Sequence, residues 1–394
     1  MMAQEQPYRP PLGERISTAA SVGVVGFLCR TFLFALNRTE VHGLDRLLEV
    51  VDSREDEKGR MKGLITVSNH VSVLDDPLIW GVLPYSYHWN PNNIRWGLGS
   101  YDICFKNRFT SAFFTYGNTL PTHRSAHSKY GGLFQPTMTQ AIRLLSDPHA
   151  GKTSSEQTRI EKLDFPNSLP ASDPFSSSEF TYSTNGMDSF PAPAAYPSRR
   201  FSWVHIFPEG MIHQHPDKVM RYFKWGVARL ILESEPCPDV LPMWIDGPQE
   251  VMNEDRTWPR PMPRAGKDIT ICIGELVDTE KVFEPYRERW RSLKEKQRRR
   301  KRSFWSKTAP TDSEGVEELG VLTDDELRYG KEAEKLRIDV TMAVRNEVLK
   351  VRRSHGLKDE DPKRGLAETW AAEGGKGTPR EGEKNDGSIV RELS

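Results

Sequence analysis

Ser68-Asn69-His70-Val71-Ser72-Val73-Leu74-Asp75-Asp76-Pro77 is the stretch on which the reading of this chain turns. Just before it, Leu64-Ile65-Thr66-Val67-Ser68 is short, apolar and β-prone, which predicts a buried strand. Within it, Asp76-Pro77 offers a capping side chain followed by proline at the first helical position, which predicts a helix through Leu78-Ile79-Trp80. Residues five apart on one regular helix point about 140° away from each other. His70 and Asp75 therefore meet only if a turn folds between strand and helix. On such a turn the imidazole can take a proton from an attacking hydroxyl, while the carboxylate fixes its tautomer and stabilises the imidazolium that forms. That chemistry suits acyl transfer to a hydroxyl and requires no serine or cysteine nucleophile. An isolated His-x4-Asp is more often a capping Asp beside a hydrogen-bonded core His, so the rest of the chain has to decide.

Downstream, Gly117-Asn118-Thr119-Leu120-Pro121-Thr122-His123-Arg124 follows an apolar approach, Phe113-Phe114-Thr115-Tyr116, read as a strand. The guanidinium fork of Arg124 matches phosphate oxygens, although a surface arginine after a strand is usually just solvated. Trp203-Val204-His205-Ile206-Phe207-Pro208-Glu209-Gly210 is a β-type run that stops at Pro-Glu-Gly. There Glu209 is placed to hydrogen-bond glycerol hydroxyls, and Gly210 lets backbone approach a ligand with no Cβ in the way. Val240 to Ile245 and Ile269 to Gly274 give two further strands, read as core.

Taken in order, His-x4-Asp, the Gly...Arg block, Phe-Pro-Glu-Gly and a later proline-bearing strand resemble the glycerolipid acyltransferase superfamily. Asn69-His70 with Asp75-Asp76-Pro77, Asp102-Ile103-Cys104-Phe105, Trp203 to Gly210, and Arg221-Tyr222-Phe223-Lys224-Trp225-Gly226 with Arg229-Leu230-Ile231 resemble the tafazzin family more closely, in a fungal-like form with an insertion. The resemblance covers roughly residues 10–150 and 199–290. It implies an α/β fold, a mixed sheet surrounded by helices with an N-terminal membrane-interfacial helix. It also implies a phospholipid–lysophospholipid transacylase without cofactor, in which His70 and Asp75 are catalytic while Arg124, Glu209 and Gly210 bind substrate. Phospholipids and lysophospholipids are then its partners, with cardiolipin and monolysocardiolipin among them. The resemblance also implies mitochondrial membranes, outer and inner, facing the intermembrane space as its place. An acyl-CoA-dependent lysophospholipid acyltransferase would share every catalytic block, and a non-catalytic lipid-surface scaffold would share the membrane helices without depending on His70.

The domain organisation follows from composition. Residues 1–40 are expected to form a membrane-associated helix and 41–290 the acyltransferase domain, interrupted at 151–198 by a Ser-, Pro- and Asp-rich insertion expected to lack structure. Residues 291–360 carry a basic tract and a charged helix, and 361–394 read as a disordered tail. Ile16 to Leu36 is mostly apolar, only just long enough to span a bilayer, and broken by Arg30. The favoured reading lays it at the interface, with Arg30 at the headgroups and Phe27, Leu28, Phe32, Leu33 and Phe34 among acyl chains. Val219 to Glu235 has helical spacing of apolar residues beside Arg221, Lys224 and Arg229, suited either to anionic lipid or to packing on the sheet. Lys294 to Arg302 is a basic run, and Asp324 to Arg353 is predicted as one helix. Lys plus Arg number 55 and Asp plus Glu number 55, so no global field draws the chain to nucleic acid. Four cysteines, Cys29, Cys104, Cys237 and Cys272, are spread without a Cys-x-x-Cys pair, and neither they nor His213-x-His215 make a convincing metal site.

Overall fold

A computed structural model describes residues 7–91, 93–125, 127–150, 180–305, 318–367 and 369. Nine strands are present among them: β1 Arg38–His42, β2 Leu64–Val67, β3 Gly97–Ser100, β4 Thr119–Thr122, β5 Thr181–Tyr182, β6 Phe190–Pro191, β7 Trp203–Ile206, β8 Asp239–Asp246 and β9 Asp268–Ile273. Five of them make a mixed sheet in the order β1-β9-β8-β2-β7. β2 runs parallel to both β7 and β8, and only the β8–β9 pairing is antiparallel. Every residue of β2 and β7 is buried, which is why both read as largely apolar rather than alternating runs, and their two polar side chains, Thr66 and His205, hydrogen-bond to each other at 2.8 Å. The parallel pair β3–β4 joins the β7 edge through a bridge between Trp96 and Val204.

Helices cover both faces. α1 Leu12–Leu36, α2 Leu44–Asp52 and α3 Asp75–Trp80 enclose one core with Leu33, Leu47, Ile79, Leu241 and Ile271. After the small α4 Tyr101–Cys104 and α5 Arg108–Tyr116, the opposite core is built by α6 Pro136–Leu145 and α7 Gly226–Glu233. Past the single turns α8 Pro248–Val251 and α9 Thr279–Val282, the long α10 Glu284–Trp305, then α11 Asp325–Tyr329 and α12 Lys331–Ser354, complete that second layer. Val340, Val344 and Val348 of α12 are fully buried in one cluster with Ile65, Val204 and Val240 of the sheet. Residue 290 is consequently no structural boundary, because the C-terminal helices share the core of the sheet.

Several local expectations change. α1 is apolar and long enough to cross a membrane, but Arg30 does not reach outward from it: its Nη1 donates to the carbonyls of Val82 at 2.9 Å and Leu83 at 3.0 Å. Those carbonyls follow the end of α3, where backbone acceptors lack helical partners. Leu33 is likewise fully buried in the core, whereas Phe27, Leu28 and Phe34 stay exposed. Phe113 to Tyr116 belongs to a helix, α5, because Asn107 caps its start by accepting from Phe109 N and Thr110 N. Val227, Leu230 and Ile231 of α7 pack on the sheet, so the 219–235 segment follows the packing reading and not the lipid one. The predicted helix at 324–353 is two helices, parted where Gly330 adopts extended backbone. On α10, Trp290 and Leu293 are buried while the basic run forms ion pairs such as Arg299–Glu295 and Lys301–Asp324.

The expected absence of structure at 151–198 falls outside the described residues up to 179, and from Phe180 onward the chain is folded. Asp188 accepts from Thr184 N at 2.7 Å and Ser183 Oγ at 2.9 Å, and Asn185 accepts from Met187 N at 2.8 Å. The segment is ordered by side-chain-to-backbone turns around a buried Tyr182, a device that apolar periodicity does not register. In the expected tail, Pro362–Gly365 makes one 3-10 turn, and the part from 370 on lies outside the described residues.

Candidate active site

The turn after β2 is fixed before any catalytic question arises. Asn69, buried at its start, donates to Ile245 O at 2.8 Å and accepts from Ile245 N at 2.9 Å, tying the end of β2 to β8. Asp75 then folds the loop back on itself: its Oδ2 accepts from Val71 N at 2.5 Å and Ser72 N at 2.8 Å. The same oxygen accepts from His70 Nδ1 at 2.9 Å, so the spacing that separates the two residues on a helix brings them together on a turn. With Nδ1–H donating, Nε2 keeps its lone pair to accept a proton. His70 is partly exposed and Asp75 fully buried. Burial raises the Asp75 carboxyl, opposed by the bond to His70 and by the two amides. α3 begins at Asp75, not after a capping Asp76. Asp76 instead accepts from Trp80 Nε1 at 3.0 Å and Arg95 Nε at 3.2 Å, which anchors the helix to the chain leading into β3.

Glu209 stands behind this turn. Its Oε1 accepts from His70 N at 2.8 Å and its Oε2 from Arg221 N at 2.8 Å. His213 N adds a bond to His70 O at 2.8 Å. Both carboxyl oxygens of Glu209 are thus engaged by backbone amides in a site only 1% exposed, which makes it a support for His70. Phe207 completes the support, its ring stacked on the His70 imidazole at 4.3 Å and 22°. The edge of His205 meets Phe207 at 4.4 Å, and burial holds His205 neutral, pushed down to about 3.

The Glu209 carboxyl is pushed up to about 8 by burial, against the two amide bonds that lower it. Its folded-state value lies above the ordinary 4.5, so its contribution to stability is full below about 4.5 and is lost as pH rises toward about 8. Thermal melts across this window will show wild type losing stability relative to Glu209→Gln as pH rises. A difference that does not change with pH contradicts this.

Arg124 is held by Asp102, with Nε on Oδ1 at 3.1 Å and Nη2 on Oδ2, and this pairing lowers Asp102 to about 2. The guanidinium is oriented and about 30% exposed, though its fork is already occupied by a carboxylate. Gly210 has φ +65, and a Cβ there would come within 2.8 Å of Lys224, so this position calls for glycine on backbone grounds. Beside the turn lies a cavity of about 280 Å³ that includes Asn69, Glu209, His213, Lys218 and Trp244 in its wall. Among the described residues no cluster of three or more His, Cys, Asp or Glu is arranged to hold a metal.

Sequence reasoning missed the support that reaches the site from the C-terminus. Glu360, with its side chain fully buried, accepts from Met220 N at 2.8 Å and from Arg345 Nη2 at 2.5 Å, and pairs in charge with Arg352, whose Nε lies 3.3 Å away. Arg345 also donates to Met220 O at 3.1 Å. The backbone next to Arg221, which holds Glu209, is thereby clamped from α12. Buried arginines at helical spacing in a charged segment were the available signal.

No protein-family model matches the chain. Tafazzin of Saccharomyces cerevisiae is 33% identical over 366 residues, spanning 91% of this chain and 83% of that protein. Tafazzin of Drosophila melanogaster is 28% identical over 65% of this chain and 50% of its own length, and an N-acylphosphatidylethanolamine synthase of Arabidopsis thaliana is 30% identical over 61% and 64%. Among solved structures, the 1-acyl-sn-glycerophosphate (LPA) acyltransferase PlsC from Thermotoga maritima overlays with a TM-score of 0.36 at 15% identity, covering 76% of this chain and 83% of that one. That overlay is too loose to inform the site.

Proposed function

This chain belongs to the tafazzin family of acyltransferases, and from that premise we propose that it exchanges acyl chains between phospholipids and lysophospholipids without CoA, with monolysocardiolipin as an acceptor. The observation that carries the reading is the His70–Asp75 pair at 2.9 Å, on a turn whose backbone Asp75 and Glu209 both lock. His70 Nε2 takes the proton of the lysolipid hydroxyl, and the oxygen attacks the ester carbonyl of the donor phospholipid. The tetrahedral intermediate collapses by breaking the bond to the donor glycerol oxygen, which receives the proton back from His70. One ester is consumed and one formed, so the exchange is near thermoneutral and draws on no cofactor. Asp75 holds the imidazole and stabilises its cationic form. Arg124 lies beyond the groups that touch His70 and serves to position a phosphate, in exchange for part of its pairing with Asp102. Glu209 acts through the His70 backbone rather than on glycerol, and Gly210 shapes the turn.

On this reading α1 lies at the membrane interface, which brings donor and acceptor lipids to the site without a soluble carrier. The place of action is the mitochondrial membranes, outer and inner, on the intermembrane-space side. Residues 41–290 carry the chemistry, and the C-terminal helices brace it.

Acyl transfer will proceed from labelled phosphatidylcholine to monolysocardiolipin in CoA-free bilayers, and label will return when the reaction starts from the product side. Transfer that requires added acyl-CoA moves the chain to the acyl-CoA-dependent class, leaving His70 and Asp75 in the same roles. Transfer to other lysolipids but never to monolysocardiolipin removes the cardiolipin assignment alone.

A further inference from the structure

α5 presents the most exposed large aromatic side chain among the described residues. Phe109 is 89% exposed and Phe113 is 50% exposed. Spaced four apart on one helix, they share a face. Another side of α5 borders an apolar cavity of about 300 Å³, which Ala112 and Thr115 line together with Leu120 and Phe190. α5 also packs against α1, which exposes Leu12 at 65% and Ile16 at 58%. The Tyr85–Trp89 turn lies against α1 as well: Phe27 meets Tyr85 at 5.9 Å, Tyr85 meets Trp89 at 5.6 Å, and Trp89 lies over Gly23. Aromatic side chains with a polar edge, set beside a long apolar helix, fit the boundary between acyl chains and headgroups. Lys106 and Arg108, at the start of α5, are exposed and form no ion pair among the described residues. An apolar face with free cations at its border matches an anionic bilayer in both shape and charge.

We propose that α5 is a second membrane-insertion element beside α1, with Phe109 and Phe113 entering the acyl region of an anionic bilayer and Lys106 and Arg108 meeting its headgroups. The proposal rests on the reading of α1 as an interfacial helix and is independent of the catalytic assignment. It makes the membrane footprint bipartite, which fixes rotation about α1 as well as depth. α7, with its apolar residues in the core, plays no part in it.

Flotation of the full chain with vesicles of phosphatidylcholine alone, or with about one-third phosphatidylglycerol, tests this. Phe109→Ser/Phe113→Ser will lower the partition coefficient about tenfold on both vesicle types. Lys106→Glu/Arg108→Glu will lower it only on the anionic vesicles, and salt will reproduce that loss on wild type. Phe109→Cys carrying a polarity-sensitive dye will shift its emission to the blue on vesicle binding, a readout that needs no change in fold. Wild-type partitioning by the Phe variant with no dye shift overturns the proposal. So does a concentration-dependent dimer that Phe109→Ser/Phe113→Ser abolishes, because the face then covers a second copy of the chain. Leu12→Ser/Ile16→Ser isolates the premise: unchanged partitioning there removes the α1 reading, whatever α5 does.

Discussion

Replacing His70 with alanine will reduce acyl transfer to background, a loss of about a thousandfold or more, while leaving the fold in place. The imidazole is the one titratable group on the turn that is both partly exposed and hydrogen-bonded to a buried carboxylate. Its removal costs the stack on Phe207 and one bond to Asp75, but the backbone bonds of His70 to Glu209 and His213 do not involve the side chain. Asp75→Asn sharpens the assignment. Asp75 Oδ1 is buried without a partner while Oδ2 accepts three N–H groups, so an asparagine can turn its oxygen to those donors and its NH₂ toward the vacant side. The turn survives, the negative charge does not, and the rate will fall about a hundredfold or more. Comparable rates for His70→Ala and wild type in liposomes, at equal protein, remove the enzymatic role of this turn and favour a scaffold.

Glu360→Ala will be the most destabilising single change in the C-terminal region, costing about 3–5 kcal/mol. The side chains of Arg345 and Arg352 are 1% and 3% exposed, and removing their shared carboxylate leaves two buried cations with backbone carbonyls and, for Arg352, the ring of Trp244, but no counter-charge in this clamp. Met220 N loses its acceptor as well, next to the residue whose amide holds Glu209. Denaturant unfolding will report the stability loss. Transfer assays well below the unfolding transition will show a loss of rate beyond the unfolded fraction, because the slack reaches His70 through Glu209. A variant that is destabilised yet fully active when folded separates the clamp from the site.

The sheet was legible because β2, β7 and β8 are buried on both faces, which makes the runs at 64–67, 203–206 and 240–245 largely apolar, and β9 at 269–273 departs only at the half-buried Thr270. The His70–Asp75 pair was legible because its geometry is local, set by a strand, a turn and a helix within ten residues, Ser68 to Pro77. Short-range steric and hydrogen-bonding rules suffice there, and the order of the later blocks along the chain pointed to the same family.

What the linear pattern left open depends on partners far apart in the chain. Arg30 reads as a headgroup contact by its position in an apolar helix, yet the carbonyls it meets are 51 to 53 residues away. Glu209 reads as a ligand group by its motif, yet its two oxygens are taken by amides 139 and 12 residues away. The exposed face of α5 was hidden because its aromatic run, Phe113 to Tyr116, fits a strand as well as a helix until Asn107 is seen capping it. The sequence by itself determined four strands of the main sheet, the His70–Asp75 turn and the family, all written in near neighbours and their order. Only the tertiary structure decided which charged side chains would be spent on the fold, because a buried arginine or carboxylate goes wherever an unpaired backbone group or opposite charge stands within about 3 Å of it.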